Sequence, residues 1–126
     1  MSKKAVTTSR APAAIGPYQQ AVIYDNLIFC SGQIALDPAS GELVEGDITA
    51  QTEQAMKNLG EILNEAGSHW DNVLKCTIYL ADMADFAKVN RIYGSYFPEN
   101  PPAREAVAVK TLPKEALVEI SCMAHR

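Results

Sequence analysis

The stretch that decides the fold runs Arg104-Glu105-Ala106-Val107-Ala108-Val109-Lys110 and, beyond the connection Leu112-Pro113-Lys114, Leu117-Val118-Glu119-Ile120-Ser121-Cys122-Met123-Ala124. Both runs are short and rich in β-branched residues, and a turn that contains proline separates them. This is the pattern of two consecutive β-strands. We therefore predict strands over about 104–110 and 117–124.

Side chains along a strand alternate between the two faces of the sheet. In the second strand the alternation separates Val118, Ile120 and Cys122 from Glu119, Ser121 and Met123. We expect the first of these sets to face a helix-covered core. In the first strand Val107 and Val109 share one face, and Arg104, Ala106 and Ala108 share the other. We predict that Arg104 and Glu119 lie on the same, helix-free side of the sheet.

The rest of the chain predicts two helices and further strands. The predicted strands are 18–24, 27–34, 72–80 and a short one near 4–7, and the predicted helices are 47–66 and 82–97. Asp25-Asn26 tolerates positive φ and predicts a tight hairpin between the first two long strands. Asp47 and Asp82 are the predicted N-caps, and Gly60 inside the first helix indicates close contact with a neighbour.

This order of elements predicts one α+β domain over residues 1–126, a mixed sheet with both helices on one face. Two helices cover only one face, and the other would carry Met123, Ala106 and Ala108. A large apolar face left in water usually marks an interaction surface. We expect a closed homo-oligomer that buries this face, and the pattern does not set the number of subunits.

Composition excludes several classes of protein. The chain has 126 residues and a net charge of −4. No apolar run approaches the ~20 residues of a membrane span, so we expect no membrane contact. No hydrophobic stretch follows the basic start Met1-Ser2-Lys3-Lys4, so we expect no secretory signal. Lys and Arg are scattered rather than gathered on one face, which argues against a nucleic acid partner.

Cysteine and histidine usage points to a reduced protein without a metal. Cys30, Cys76 and Cys122 each lie inside an apolar run, where a free thiol behaves as a small hydrophobic group. We interpret them as core thiols of a cytoplasmic protein. His69 and His125 belong to no cluster with the spacing of a zinc site. We expect neither a metal nor a cofactor.

Several blocks of residues, spread over nearly the whole chain, are specific when taken together. They are Ala11-Pro12-Ala13-Ala14-Ile15-Gly16-Pro17-Tyr18, Ser31-Gly32-Gln33-Ile34, Asp37-Pro38-Ala39-Ser40-Gly41-Glu42, Asp85-Phe86-Ala87-Lys88-Val89-Asn90, Pro102-Ala103-Arg104, Val107-Ala108-Val109, Leu112-Pro113-Lys114 and Val118-Glu119-Ile120. In these blocks the chain resembles the RidA family, also called YjgF or reactive intermediate deaminases.

The resemblance implies a chorismate-mutase-like fold and a homotrimer whose sheets form a central barrel. The helices would lie outside, and three sites would lie in the clefts between subunits. The implied activity is hydrolysis of reactive 2-imino or enamine acids, such as 2-iminobutanoate and 2-iminopropanoate, which pyridoxal-phosphate enzymes release. The products would be 2-oxo acids and ammonia.

The resemblance also implies roles for residues of this chain. Arg104 matches the arginine that binds the substrate carboxylate, which a planar guanidinium can hold by two parallel hydrogen bonds. Glu119 matches the acidic residue that orients or activates water. Ala106 lies where some members carry Cys, so its backbone carbonyl, and no thiol, would contact the substrate. An ion pair at a subunit interface is the alternative for Arg104 and Glu119.

Four further positions match residues that line the family's cleft. Tyr18 would cover the substrate, although an ordinary hairpin tyrosine fits the pattern too. Ser31 and Gly32 would form the pocket wall, with Gly32 allowing close backbone approach. Asn90 would lie near the site, or it would make a structural hydrogen bond.

Two positions depart from the family pattern. Glu105 follows Arg104 where relatives more often carry a small or uncharged residue, and a carboxylate there would compete for the guanidinium unless it points to the other face. Ser121 replaces an acidic residue common in relatives. Two other functions stay open: a small-carboxylate-binding or chaperone-like trimer without catalysis, and an endoribonuclease or translation inhibitor.

Overall fold

The computed structural model describes residues 2–126 and contains six strands and two α-helices. In chain order they are β1 (Lys4–Val6), β2 (Ala21–Tyr24), β3 (Leu27–Gln33), α1 (Ile48–Glu65), β4 (Val73–Leu80), α2 (Phe86–Ser95), β5 (Ala103–Ala108) and β6 (Val118–His125). The strands form one sheet in the order β1-β2-β3-β6-β4-β5. Only the β4–β5 pair is parallel, because α2 carries the chain back across the sheet between them.

The predicted α+β class and mixed sheet are confirmed. The β2–β3 hairpin turns at Asp25, which adopts a φ of 56°, as the Asp25-Asn26 pair predicts. Core residues come from both helices and from the faces of β3, β4 and β6 that the helices cover. Among residues 2–126, no helix combines the length and the apolar character that crossing a membrane requires.

Helix α1 begins and ends where the sequence predicts. The Asp47 carboxylate accepts hydrogen bonds from the backbone N–H groups of Thr49 and Ala50, which satisfies two donors of the first turn. The helix ends before Gly67, whose φ of +82° reverses the chain at little cost. Gly60 makes room for Trp70, because a Cβ at position 60 would lie 3.2 Å from the indole Nε1.

Helix α2 is shorter than predicted. Asp82 caps a 3-10 turn over Met83–Asp85, where it accepts from the N–H of Ala84, and the α-helix starts only at Phe86. At the other end, the N–H groups of Tyr96 and Phe97 bond to carbonyls three residues earlier, which closes the helix before Pro98.

The predicted placement of Arg104 on the helix-free face is wrong. Cys76 of β4 pairs with Arg104 on one side and with buried Cys122 on the other, so Arg104 points to the helix-covered face. Tyr79 pairs with Val107 and with Glu119, so these three residues point to the opposite face. Arg104 and Glu119 therefore lie on opposite faces of the sheet.

The predictions for Ala106 and Ala108 are wrong for the same reason. Ala106 pairs with Ile78 and packs against the core, and Ala108 pairs with Leu80 on the same face. Alternation sorts a strand into two sets, but it does not say which set faces the helices. In the edge strand β5, Ala106 and Ala108 share the helix-covered face with Arg104, and Val107 is 43% exposed on the other face.

The face without helices is partly apolar. Phe29 pairs with Met123 across β3 and β6, and each of the two side chains is 40% exposed. Leu27 and Val107 extend the exposed apolar surface on this face, which we call the helix-free face. Between these side chains lie Lys75, Thr77, Glu105, Glu119 and Ser121.

Candidate active site

Four of the seven predicted site residues line one cavity. The cavity measures about 570 Å³ and is bordered by Tyr18, Ser31, Gly32 and Glu119. Ile15, Leu36, Pro113 and Lys114 are among the other residues that line it. We call it the Glu119 cleft. Strands β3 and β6 are neighbours in the sheet, and this adjacency brings Gly32 next to Glu119 although 87 positions separate them in the chain.

An irregularity in β3 shapes the floor of the Glu119 cleft. The register with β6 shifts between Cys30 and Gln33, so Ser31 and Gly32 leave the regular ladder. The Ser31 hydroxyl donates to the carbonyl of Gln19 at 2.6 Å, and the Ser31 N–H donates to the carbonyl of Gln20 at 2.9 Å. Ser31 therefore holds the chain that leads to Tyr18, and its hydroxyl proton is already committed to the backbone.

Gly32 leaves space that the Glu119 carboxylate occupies. A Cβ built at position 32 would overlap the Glu119 Oε2 and would lie 2.8 Å from its Cδ. Carbon atoms in contact are normally ~3.5–4.0 Å apart, so only glycine allows this arrangement. The carboxylate is thus held close to the backbone of β3.

Burial governs the electrostatics of Glu119. The side chain is half-buried, and loss of solvent raises its pKa above that of an ordinary glutamate. Within residues 2–126, no cationic side chain lies within ion-pair distance of this carboxylate. A carboxylate with a raised pKa accepts a proton from water more readily than an exposed one does.

Arg104 lies in a second group of residues, against helix α2. Its Nη1 donates to Asn90 Oδ1 at 2.6 Å. Its Cζ lies 5.2 Å from the centre of the Phe86 ring and 5.1 Å from the centre of the Tyr93 ring. We call Phe86, Asn90 and Tyr93 the arginine cradle. Ala106 lies two residues further along β5 on the same face, and it is half-buried.

Glu105 does not compete for Arg104. Its carboxylate accepts a hydrogen bond from the Thr77 hydroxyl at 2.6 Å and lies 3.2 Å from Lys75 Nζ, both on the helix-free face. The Thr77 hydrogen bond, followed by the contact with Lys75, lowers the pKa of Glu105. Glu105 departs from the family pattern, but its carboxylate does not pair with the Arg104 guanidinium.

The seven predicted residues thus form two groups that one chain does not bring together. Tyr18, Ser31, Gly32 and Glu119 line the Glu119 cleft. Arg104, Asn90 and Ala106 do not line it, because they lie on the helix-covered side of the edge strand β5 or on α2.

Comparison with known proteins identifies the family. Residues 8–126 match the family profile described as Endoribonuclease L-PSP. This chain belongs to the YjgF/RidA family. Its likeness to that family extends over nearly the whole chain, which confirms the resemblance found in the sequence blocks.

Relatives of this RidA chain include named deaminases and RutC family proteins. The 2-iminobutanoate/2-iminopropanoate deaminase of Mus musculus is 52% identical over 122 residues, which cover 97% of this chain and 90% of the mouse protein. A RutC family protein of Pyrococcus abyssi is 48% identical over 126 residues, which cover 100% and 99% of the two chains. A solved structure of the Rid family protein YyfA from Yersinia pestis has a TM-score of 0.97 and 43% identity, covering 99% of this chain and 100% of that one.

Sequence reasoning missed three residues that lie beside the predicted site residues of this RidA chain. The sequence analysis gave Phe86 and Tyr93 no role at the site, yet both rings contact Arg104. Their spacing with Asn90, four and then three residues apart, places all three on one helix stripe and was the available signal. Lys114 was placed in a connection, yet it lines the Glu119 cleft in a left-handed conformation with φ 56°.

The three cysteines are buried, and within residues 2–126 no group of three metal-binding side chains converges.

Proposed function

We propose that this RidA chain hydrolyses reactive 2-imino acids, such as 2-iminobutanoate and 2-iminopropanoate, to 2-oxo acids and ammonia. We also propose that it works as a homotrimer in which each site takes Arg104 from one copy and Glu119 from the next. The observation that carries the proposal is the placement of Arg104 and Glu119 on opposite faces of one sheet. Relatives with the same deaminase name, at about half identity, support the choice of substrate.

The surface of the chain supports assembly. The helix-free face exposes Phe29, Val107 and Met123, and such a patch is expected to be buried against other copies. Ile15 and Tyr18 line the Glu119 cleft and are themselves exposed, Ile15 by 86%. A second copy that brings its Arg104 to the Glu119 cleft would complete the site and cover these side chains.

The two groups of residues supply different parts of the chemistry. Arg104 binds the substrate carboxylate through two parallel charge-assisted hydrogen bonds. Glu119 takes a proton from water as the water oxygen bonds to the carbon of the protonated imine, and the C=N electron pair moves to nitrogen. Glu119 then returns the proton to nitrogen and the C–N bond breaks. The hydroxyl proton leaves with ammonia as the 2-oxo acid forms.

Residues around the reacting atoms restrict the route. Ala106 has no nucleophilic group, so its part is limited to the backbone carbonyl, which would accept a hydrogen bond from the imine nitrogen. Water is therefore the nucleophile and no covalent intermediate forms on the protein. Tyr18, which is half exposed, would cover the substrate in the Glu119 cleft.

The three buried thiols, which have no disulfide partner, support a cytoplasmic location.

Another function is raised by the description of the family profile, which names an endoribonuclease. RNA binding needs Lys and Arg concentrated along one surface. In this chain the Glu119 cleft combines Lys114 with an acidic residue, and the net charge is −4. A small carboxylate fits these charges better than a polyphosphate chain does.

The test is ammonia release from 2-iminobutanoate that a threonine dehydratase generates in the same cuvette. We expect Arg104→Ala to lower kcat/KM about 100-fold or more, because the substrate loses its anchor and its alignment. Arg91→Ala is the matched control, since it removes an exposed arginine of α2 that does not contact Arg104. An Arg104→Ala protein that stays oligomeric and fully active would refute the proposal. Binding of 2-oxobutanoate without turnover would favour a binding protein.

A further inference from the structure

We propose that the arginine cradle, Phe86, Asn90 and Tyr93, orients the Arg104 guanidinium before substrate arrives. These three are positioning residues, and Asn90 acts through Arg104 instead of binding the substrate. The effect of the cradle on ligand binding rests on the proposed function. The orientation of the guanidinium itself can be measured without any substrate.

Arg104 needs such support because of where it lies. Strand β5 is an edge strand, and the Arg104 side chain is exposed. An exposed arginine normally samples many rotamers, and this freedom would be lost on binding a carboxylate. A side chain that is already immobilised avoids that loss, which is the general benefit of preorganisation.

Helix α2 provides the immobilising contacts from one stripe. Phe86, Asn90 and Tyr93 are four and three residues apart, so they lie on the same side of the helix. Both rings lie within the ~6 Å over which an aromatic face attracts a cation. Asn90 accepts one N–H from Nη1 at 2.6 Å. Since a guanidinium carries five N–H donors, four remain to bind a carboxylate.

The surroundings of Tyr93 indicate that its ring makes the useful contacts and its hydroxyl does not. Tyr93 is buried, and its hydroxyl finds no well-aligned hydrogen-bond partner. Burial raises the pKa of this phenol, and the neighbouring Cys76 thiol raises it further. A buried hydroxyl without a partner destabilises the fold. The ring of Tyr93, which contacts Arg104 and Phe97, accounts for an aromatic residue here, and its hydroxyl does not.

The first experiment follows the guanidinium directly, by ¹⁵N relaxation of the arginine Nε–H groups in the intact protein without ligand. We expect the Arg104 Nε–H group to be rigid and that of Arg91, an exposed arginine on helix α2, to be mobile. Asn90→Ala and Phe86→Leu should each increase the mobility of Arg104, and Tyr93→Phe should leave it unchanged. Lys88→Ala is the control on the exposed side of α2. An Arg104 group as mobile as that of Arg91 in the wild type would overturn the proposal.

The second experiment is a double-mutant cycle on the affinity for 2-oxobutanoate, the stable product. We expect Asn90→Ala and Phe86→Leu each to weaken binding about 5- to 10-fold, the effect of one lost polar or cation–π contact. In the Arg104→Ala background the same changes should have no further effect, because the cradle acts only through Arg104. A further loss from Asn90→Ala in that background would show that Asn90 contacts the ligand, which would contradict the proposal.

Failure of the proposed function would look different. Suppose that the Arg104 group is rigid, that the cradle variants make it mobile, and that the protein produces no ammonia. The cradle proposal would then stand and the deaminase proposal would fail. If the protein is an active deaminase and its Arg104 group is mobile, the cradle proposal would fail and the deaminase proposal would stand.

Discussion

Adding one methyl group at Gly32 should disable the site without unfolding the protein. The new Cβ of Gly32→Ala would overlap Oε2 of Glu119 and would lie 2.8 Å from its Cδ and 3.0 Å from its Cγ. Carbon contacts of ~3.5–4.0 Å are normal, so the carboxylate has to retreat by about 1 Å. A misplacement of about 1 Å in a catalytic group costs on the order of 100-fold in rate.

The fold should tolerate this change. The atoms that the methyl group meets belong to the outer end of a flexible side chain beside an open cleft, so Glu119 can rotate away. Alanine also restricts the unfolded chain, which stabilises the protein by about 0.4–1 kcal/mol where its backbone conformation is compatible. We expect the free energy of unfolding to stay within about 1 kcal/mol of the wild type.

The assay is kcat/KM for 2-iminobutanoate, together with urea unfolding of the same samples. Gly94→Ala is the matched control, because its Cβ would meet no atom within 4 Å and it lies outside the Glu119 cleft. We expect this control to keep full activity, and Gly32→Ala to lose about 100-fold. A Gly32→Ala protein with wild-type kcat/KM would show that the position of the Glu119 carboxylate does not matter to the reaction.

Three other changes test separate parts of the account. Burial raises the pKa of Glu119, so its ionised form destabilises the folded state at neutral pH. Glu119→Gln should therefore raise Tm at pH 8. This gain in Tm should vanish as pH falls below the pKa that a glutamate has in the unfolded chain. The same raised pKa predicts that wild-type activity falls as pH falls through it, which a pH–rate profile measures. Arg104→Lys keeps the charge but loses the planar fork, so kcat/KM should fall about 10- to 100-fold, and a fall of less than 2-fold would argue against bidentate binding. Asp47→Ala removes the cap of α1 and should cost about 1 kcal/mol in urea unfolding, with unchanged activity per folded protein.

Strongly patterned elements were predictable from the sequence. Strand β6 alternates between a buried apolar set and a more polar set, as predicted, because it lies in the middle of the sheet and its two faces differ in chemistry. Helix α1 carries its own cap at Asp47 and its own terminator at Gly67, so its bounds follow from local signals. The hairpin at Asp25-Asn26 is local as well.

The faces of β5 were not predictable in the same way. Ala106 and Ala108 are small enough for either side of a sheet, and Val107 is apolar yet faces away from the helices. Only the pairing of Arg104 with Cys76, across the parallel β4–β5 pair, decides where Arg104 points. The start of α2 was misplaced because a 3-10 turn and an α-helix share the same capping signal at Asp82.

The candidate site was partly predictable from the sequence. Family resemblance named residues that the structure places in the Glu119 cleft, including Tyr18 and Gly32. Their separation from Arg104 depends on long-range strand pairing that no local pattern reports. The cradle spacing of Phe86, Asn90 and Tyr93 was visible, but an aromatic stripe on a helix is also typical of a core.

The central claim is that two copies of the chain build each site, and a mixture of two inactive variants tests it most directly. Arg104→Ala and Glu119→Gln are each expected to be inactive alone. When the two proteins are unfolded together and refolded at equal amounts, a closed trimer with shared sites should regain about a quarter of wild-type activity, since one in four interfaces pairs an intact Arg104 with an intact Glu119. Activity in the mixture no greater than that of the separate variants would contradict the account.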